Sequence, residues 1–182
     1  LDSIFLHILF TAGPDIWEEV RESLRKGLVY DKVPNTCRVI ADTYGDAHIF
    51  FVQEAAAAFL RVAQAHPVLR QRYTLLAPKA LDGKRDQNSM ILVHNELFDG
   101  ESAKDVTKRV SDAVGGSFLA AGDLLVVKIR DRRGRGWLLA SFHGDSNGLS
   151  TEPALLAILR LARSMFPDHL LLAGLDANTY SV

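Results

Sequence analysis

Three short stretches set acids, amides and an imidazole directly behind apolar runs. Gln53 and Glu54 follow IFFV, His143 lies in SFHGDSNG (141–148) behind GWLLA, and Asp176 and Asn178 close LLLAGLDAN (170–178). A carboxylate such as Glu54 is a hard oxygen ligand suited to Mg²⁺, which takes one or two protein carboxylates and leaves its other positions to water and phosphate oxygens. The His143 imidazole can donate to an anionic oxygen. Asp176 can orient a water, and the Asn178 amide can donate to phosphate without adding charge. Together these are the parts of a metal-assisted phosphoester hydrolysis, whose barrier falls mainly through positioning and charge stabilisation.

Each residue also has a plainer reading. Glu54 suits the first turn of a helix, His143 suits a satisfied loop position, and Asp176 and Asn178 are common turn formers. His7, His48, His66, His94 and His169 read as structural. The longest basic cluster, KIRDRRGRG from Lys128 to Gly136, holds five cationic side chains and reads as a solvated hairpin turn.

The elements that must position these residues alternate between strand and helix patterns. Ile4 to Phe10 reads as a buried strand closed by Gly13 and Pro14. Asp15 and Glu18 resemble a capping box, and Ile16, Val20 and Leu24 recur at helical spacing up to Gly27. His48 to Val52 is an apolar run with a helix behind it over 55–65, stopped by Pro67. Tyr73 to Ala77 and Ser89 to Val93 are short β-type runs. Leu124 to Ile129 and Gly136 to Phe142 flank the Arg/Gly turn as a hairpin. Thr151, Glu152 and Pro153 open a helix whose apolar positions Leu155, Leu156, Leu159, Ala162 and Phe166 form one wide buried stripe, and the run at 170–173 follows it as a strand. The fold class is therefore α/β, and polar corners at strand ends are where ligands of such sheets gather.

The bulk numbers narrow the function classes. At 182 residues, 48% hydrophobic and 24% charged, the chain suits one folded domain and excludes a disordered or collagen-like chain. With 21 basic against 22 acidic side chains, no global field draws it to nucleic acid or anionic lipid. Cys37 is the single cysteine, which excludes an internal disulfide and fits residence inside a cell. No stretch has the roughly 20 apolar residues of a membrane span. A first residue of Leu instead of Met suggests a processed or partial product.

The order of motifs resembles the endonuclease/exonuclease/phosphatase superfamily, typified by pancreatic deoxyribonuclease. Its pattern is an apolar strand ending in Gln-Glu, a strand ending in His with Ser or Thr close behind, a helix, and a strand ending in Gly-Asp-x-Asn. Here the stretches are IFFVQE (49–54), LLASFHGDS (138–146) and LLLAGLDAN (170–178), and the similarity covers most of residues 48–182. The resemblance implies a DNase I-like sandwich of two mixed sheets flanked by helices, of which residues 1–182 would form a single partial domain, the first half plus the start of the second. It implies a Mg²⁺ (or Mn²⁺) ion held by Glu54, His143 on the scissile phosphate, Asp176 orienting the water and Asn178 beside it. The substrate it implies is a phosphoester: nucleic acid, a phospholipid headgroup or an inositol phosphate.

Four departures from the family pattern accompany this. Thr11 and Ala12 stand where the family carries a metal-site Asn at the end of its first strand. Gln87, in RDQNSMIL, takes the place of a second acid, so it joins Glu54 as a possible metal ligand. Leu175 widens the Gly-Asp-x-Asn motif by one residue. The Asp-His pair that ends the family domain has no counterpart before Val182, so residues 1–182 alone are expected to be inactive and to need further chain or a partner. The alternative function is a degenerate, non-catalytic domain of this fold, serving as a structural or binding subunit.

Overall fold

The structure, a computed structural model, describes residues 3–83, 86–115 and 119–179. In chain order it runs α1 (Ser3–Ala12), α2 (Trp17–Arg25), a π-helical turn (Lys26–Tyr30), α3 (Lys32–Asp42), β1 (Ile49–Ala55), α4 (Ala57–Ala65) and α5 (Pro67–Arg72). It continues through β2 (Tyr73–Leu76), β3 (Asn88–His94), β4 (Phe98–Asp105), α6 (Thr107–Val114), β5 (Leu124–Asp131), β6 (Gly136–His143), α7 (Thr151–Met165) and β7 (Leu170–Asp176).

The strands form two sheets. One is antiparallel with order β1-β3-β2, and the other has order β4-β5-β6-β7, in which only β7 runs parallel to its neighbour. Residues of β3, β5 and β6 alternate between two apolar layers, because successive side chains of a strand point to opposite faces. Ile91, Val93, Leu125, Val127, Ile129 and Leu139 fill the layer between the sheets. Met90 and Leu92 face α3, α4 and α5 on one outside. Leu124, Val126, Leu138, Ala140 and Phe142 face α6 and α7 on the other. The result is a helix, sheet, sheet, helix stack. Burial on both faces is why these strands read as unbroken apolar runs.

The structure corrects several local expectations. Ile4 to Phe10 lies in helix α1, with the Thr11 hydroxyl donating to the His7 carbonyl at 2.8 Å. A short apolar run carries no period that separates a buried strand from a buried helix, so the strand reading had no physical discriminator. The Asp15 capping box does not form: α2 begins after Ile16 without a side-chain cap, and the Ile16 and Trp17 N–H groups donate to the Gly13 carbonyl. Gly27 sits inside the π-helical turn instead of ending the helix. In α7 the buried face is Ala154, Ala157, Ile158 and Leu161, while Leu156 and Leu159 are exposed. Apolar residues surround that helix, so its phase is set by which side the sheet covers.

Strand β4 and helices α3 and α6 were not expected. Strand β4, FDGESAKD, is polar and shifts register against β5 between Asp99 and Lys104. Helix α3 buries only Cys37, Ile40 and Ala41, and burial raises the Cys37 thiol pKa.

Candidate functional site

Strands β6 and β7 are parallel, and their register sets His143 opposite Asp176. By alternation Trp137, Leu139, Ser141 and His143 face the other sheet, as do Leu172, Gly174 and Asp176 on β7. Across the layer, β1 ends at the same rim. Its pairing with β3 slips between Val52 and Ala55, and Glu54 sits in that bulge at φ 52°. A non-glycine residue in the left-handed region is costly by on the order of 1 kcal/mol or more, and bulges re-aim side chains at sheet rims.

Glu54 is thereby turned toward the other sheet. Its Oε1 lies 3.6 Å from His143 Nε2 and accepts from Gln87 Nε2 at 3.3 Å. The carboxylate is 49% exposed and the imidazole 13% exposed, so the pair lies at the mouth of the layer. Asn178 Nδ2 lies 3.3 Å from the same His143 Nε2 and donates to the Gly144 carbonyl at 2.7 Å. One ring nitrogen cannot serve both neighbours in one state. Bare, Nε2 accepts from Asn178; protonated, it faces Glu54 and can donate to an anionic oxygen.

The loops behind the strands hold these groups in place. Gly144 N–H donates to the Asp176 carbonyl at 2.8 Å, and the Thr151 hydroxyl donates to the Ala177 carbonyl. Asp145 accepts from the Ser150 N–H and hydroxyl, both at 2.7 Å. The Ser150 hydroxyl, followed by the backbone N–H groups, holds the Asp145 carboxyl below its ordinary pKa. Asn178 adopts φ 46°, a conformation asparagine tolerates, and its N–H donates to Asp176 Oδ1 at 3.2 Å. The turn reading and the site reading of Asp176 and Asn178 thus hold together. At Gln87 the preceding residue does the anchoring: Asp86 Oδ1 accepts the Ala57 N–H at the start of α4, at 2.6 Å.

The structure therefore joins Glu54, Gln87, His143 and Asn178 in one chain of contacts. Asp176 shares the rim beside His143 but turns a carboxylate oxygen to the Asn178 backbone. Two residues of these polar corners, Gln53 and Ser141, carry no role in the sequence reading. Gln53 Nε2 donates to Ser141 Oγ at 3.1 Å and to the Gly174 carbonyl at 3.2 Å, while Ser141 Oγ lies 3.3 Å from the Val52 carbonyl. These bonds tie β1 to β6 and β7 two residues before His143 and Asp176. A β-carbon on Gly174 would stand 2.3 Å from Phe51, so only glycine lets the two sheets close here. A polar residue at an inward position late in an apolar strand was the available signal.

Among solved structures, D. rerio TDP2 complexed with single-strand DNA product matches at TM-score 0.57 and 11% identity, covering 84% of this chain and 56% of that one. The endonuclease/exonuclease/phosphatase from Bacteroides vulgatus matches at TM-score 0.60 and 13% identity, over 81% and 57% of the two chains. This chain has the endonuclease/exonuclease/phosphatase, DNase I-like fold. ANGEL2, described as a 2′,3′-cyclic phosphatase, shares the DNase I-like layout at TM-score 0.57 and 19% identity, over 80% of this chain and 43% of its own. The chain spans about half the length of these structures. No protein-family model matches the sequence. Nor does any curated protein.

Proposed function

We propose that this chain carries the site of a metal-dependent phosphoester hydrolase. The observation that supports it most is the approach of Glu54 and Asn178, from opposite sheets, to the one nitrogen His143 Nε2 at 3.6 and 3.3 Å. Within a DNase I-like fold that corner lies at the carboxyl ends of β1, β6 and β7. A Mg²⁺ or Mn²⁺ ion fits a donor set of this kind: one half-exposed carboxylate, Glu54, with Gln87 beside it and room for water and phosphate. Such an ion supplies neutralisation of charge on the phosphate oxygens. Protonated at Nε2, His143 donates to a non-bridging phosphate oxygen. In that state Nε2 no longer accepts from Asn178, whose amide, held by the Gly144 carbonyl at 2.7 Å, can donate to the phosphate instead. Asp176 accepts a hydrogen bond from the attacking water and aims it along the rim.

Two neighbours are described with a DNA product and as a cyclic phosphatase, so nucleic acid and cyclic phosphates join phospholipid headgroups and inositol phosphates as substrate classes to test. A second reading, a non-catalytic structural or binding domain, is favoured by one observation. Among the described residues no group of three His, Cys, Asp or Glu side chains is placed to hold a metal ion.

Calorimetric titration of Mg²⁺ into wild type and Glu54→Ala separates the two readings. A weak saturable heat that vanishes in the variant supports the hydrolase; equal heats remove Glu54 from the site. In the full gene product, Asp176→Asn keeps the shape and removes the charge. It should lower turnover of the accepted phosphoester by about 100-fold or more, and unchanged turnover would sink the role given to Asp176.

A further inference from the structure

The basic hairpin between β5 and β6 has a different use from the solvated turn its sequence suggests. It overhangs a cleft of about 670 Å³ at the opposite end of the inter-sheet layer from His143. Six residue steps along β6, from Trp137 to His143, separate the two, roughly 20 Å at strand rise. The cleft floor is apolar, with Ile49 of β1, Phe98 of β4, Trp137 of β6 and Leu172 of β7, and Phe98 packs edge-on to Trp137. Strands β1 and β7 are edge strands of their sheets among the described residues, so the cleft opens along their free sides.

Its rim is cationic and held rigidly. Asp131 accepts from the N–H groups of Arg133 and Arg135, both at 2.9 Å, and from the Trp137 indole N–H at 3.1 Å. Arg132 fastens the hairpin to the β3–β4 corner, its N–H donating to the Leu97 carbonyl at 2.8 Å and its Nε to the Asn95 carbonyl at 2.9 Å. The Asp131 oxygens are thus engaged by the hairpin itself, and Arg135 reaches one of them only at 3.8 Å. The Arg133 guanidinium has no partner among the described residues. Glu96 is the other acid of the lining, and it also faces the neighbouring hollow that holds Arg72.

We infer that this cleft binds an amphipathic anion, whose apolar body lies on Trp137, Phe98 and Leu172 and whose carboxylate or phosphate head meets Arg133 and Arg135. Size, an apolar floor and a few convergent polar groups are what small-ligand sites share, and guanidinium forks suit both head groups. Inorganic phosphate has no body to bury, and an uncharged alcohol would leave Arg133 unused.

Trp137 reports directly, since the only other tryptophan, Trp17, can be removed as Trp17→Phe. In the 182-residue chain carrying that change, decanoate, decyl phosphate, decanol and inorganic phosphate are titrated against Trp137 emission. Decanoate or decyl phosphate should shift it saturably, with a Kd at least tenfold below those of decanol and phosphate, and the two anions distinguish the head group. Arg133→Glu, at a side chain that holds nothing in the fold, should raise that Kd at least tenfold and leave the decanol value in place. Equal affinity for decanol and the anions, indifference to Arg133→Glu, or no saturable shift would each overturn the inference.

Discussion

The two ends of the layer between the sheets are built from the same strands and behave as opposites. At the rim of Glu54, His143 and Asn178 the layer is closed by hydrogen bonds, with Gln53 reaching across to Ser141 and Gly174. At the other end Ile49, Trp137 and Leu172 leave an open apolar cleft under a cationic hairpin. The difference lies in side-chain size and polarity. Gly174 admits Phe51 and lets β1 approach β7, and the partly buried Gln53 amide there finds partners in Ser141 and the Gly174 carbonyl. Where the inward residues of β7 are leucines, no such cross-link forms, and Leu170 and Leu172 stay about 40% exposed. Orientation of a site requires a fixed gap between sheets, and only one end has it.

The strongest way to break that contrast is to wedge the closed end open. Gly174→Val places branched carbon where Phe51 stands and should cost about 3 kcal/mol of stability by overpacking, measured by denaturant unfolding. A variant within about 0.5 kcal/mol of wild type would mean that the sheets are not held closely there.

A subtler change makes the closed end resemble the open one. Gln53→Leu keeps the volume and removes the two hydrogen bonds that Gln53 makes to the other sheet, leaving the Gly174 carbonyl short of a partner. The expected loss is about 1–2 kcal/mol, together with a weaker Mg²⁺ heat, because Glu54 is the next residue. Stability lost with an unchanged Mg²⁺ titration would show that Gln53 braces the sheets without positioning Glu54.

The smallest expected effect concerns acid. Hydrogen bonds to their carboxylates lower the pKa of Asp145, near the closed end, and of Asp131, in the hairpin over the open one, the first chiefly through Ser150 and the second chiefly through Trp137. A folded pKa below the ordinary 3.8 means that the contribution is present above that pH and is lost as pH falls through the lower folded value. Stability should therefore decline below about pH 4, and Asp145→Asn should make that decline shallower in thermal melts taken across this range. Parallel pH curves for variant and wild type would show that the Ser150 contacts do not persist in solution.

Much of the corner was legible before any coordinates. Glu54, His143, Asp176 and Asn178 each follow an apolar strand directly, and three such strand ends in order suffice to propose one rim. Gln53 was legible only as a polar corner, since nothing local says whether an amide faces solvent or the opposite sheet. Helix α1 reads as a strand in sequence because six apolar residues around His7 carry no period, and the buried face of α7 is misread because leucine lies on several sides of it.

The sequence by itself determined β1, α4, β2, β3, β5, β6, α7 and β7 as elements, because strands covered on both faces must be apolar and their ends must return to polar residues. It also determined which chemical groups stand at those ends. Tertiary structure alone decided that Glu54 leaves its strand through a bulge, that one nitrogen of His143 is shared between Glu54 and Asn178, and that the arginine hairpin faces a cleft. The physical reason is range. Period and capping act over a few neighbouring residues, whereas the gap between two sheets is set by contacts such as Phe51 with Gly174, more than a hundred residues apart in the chain.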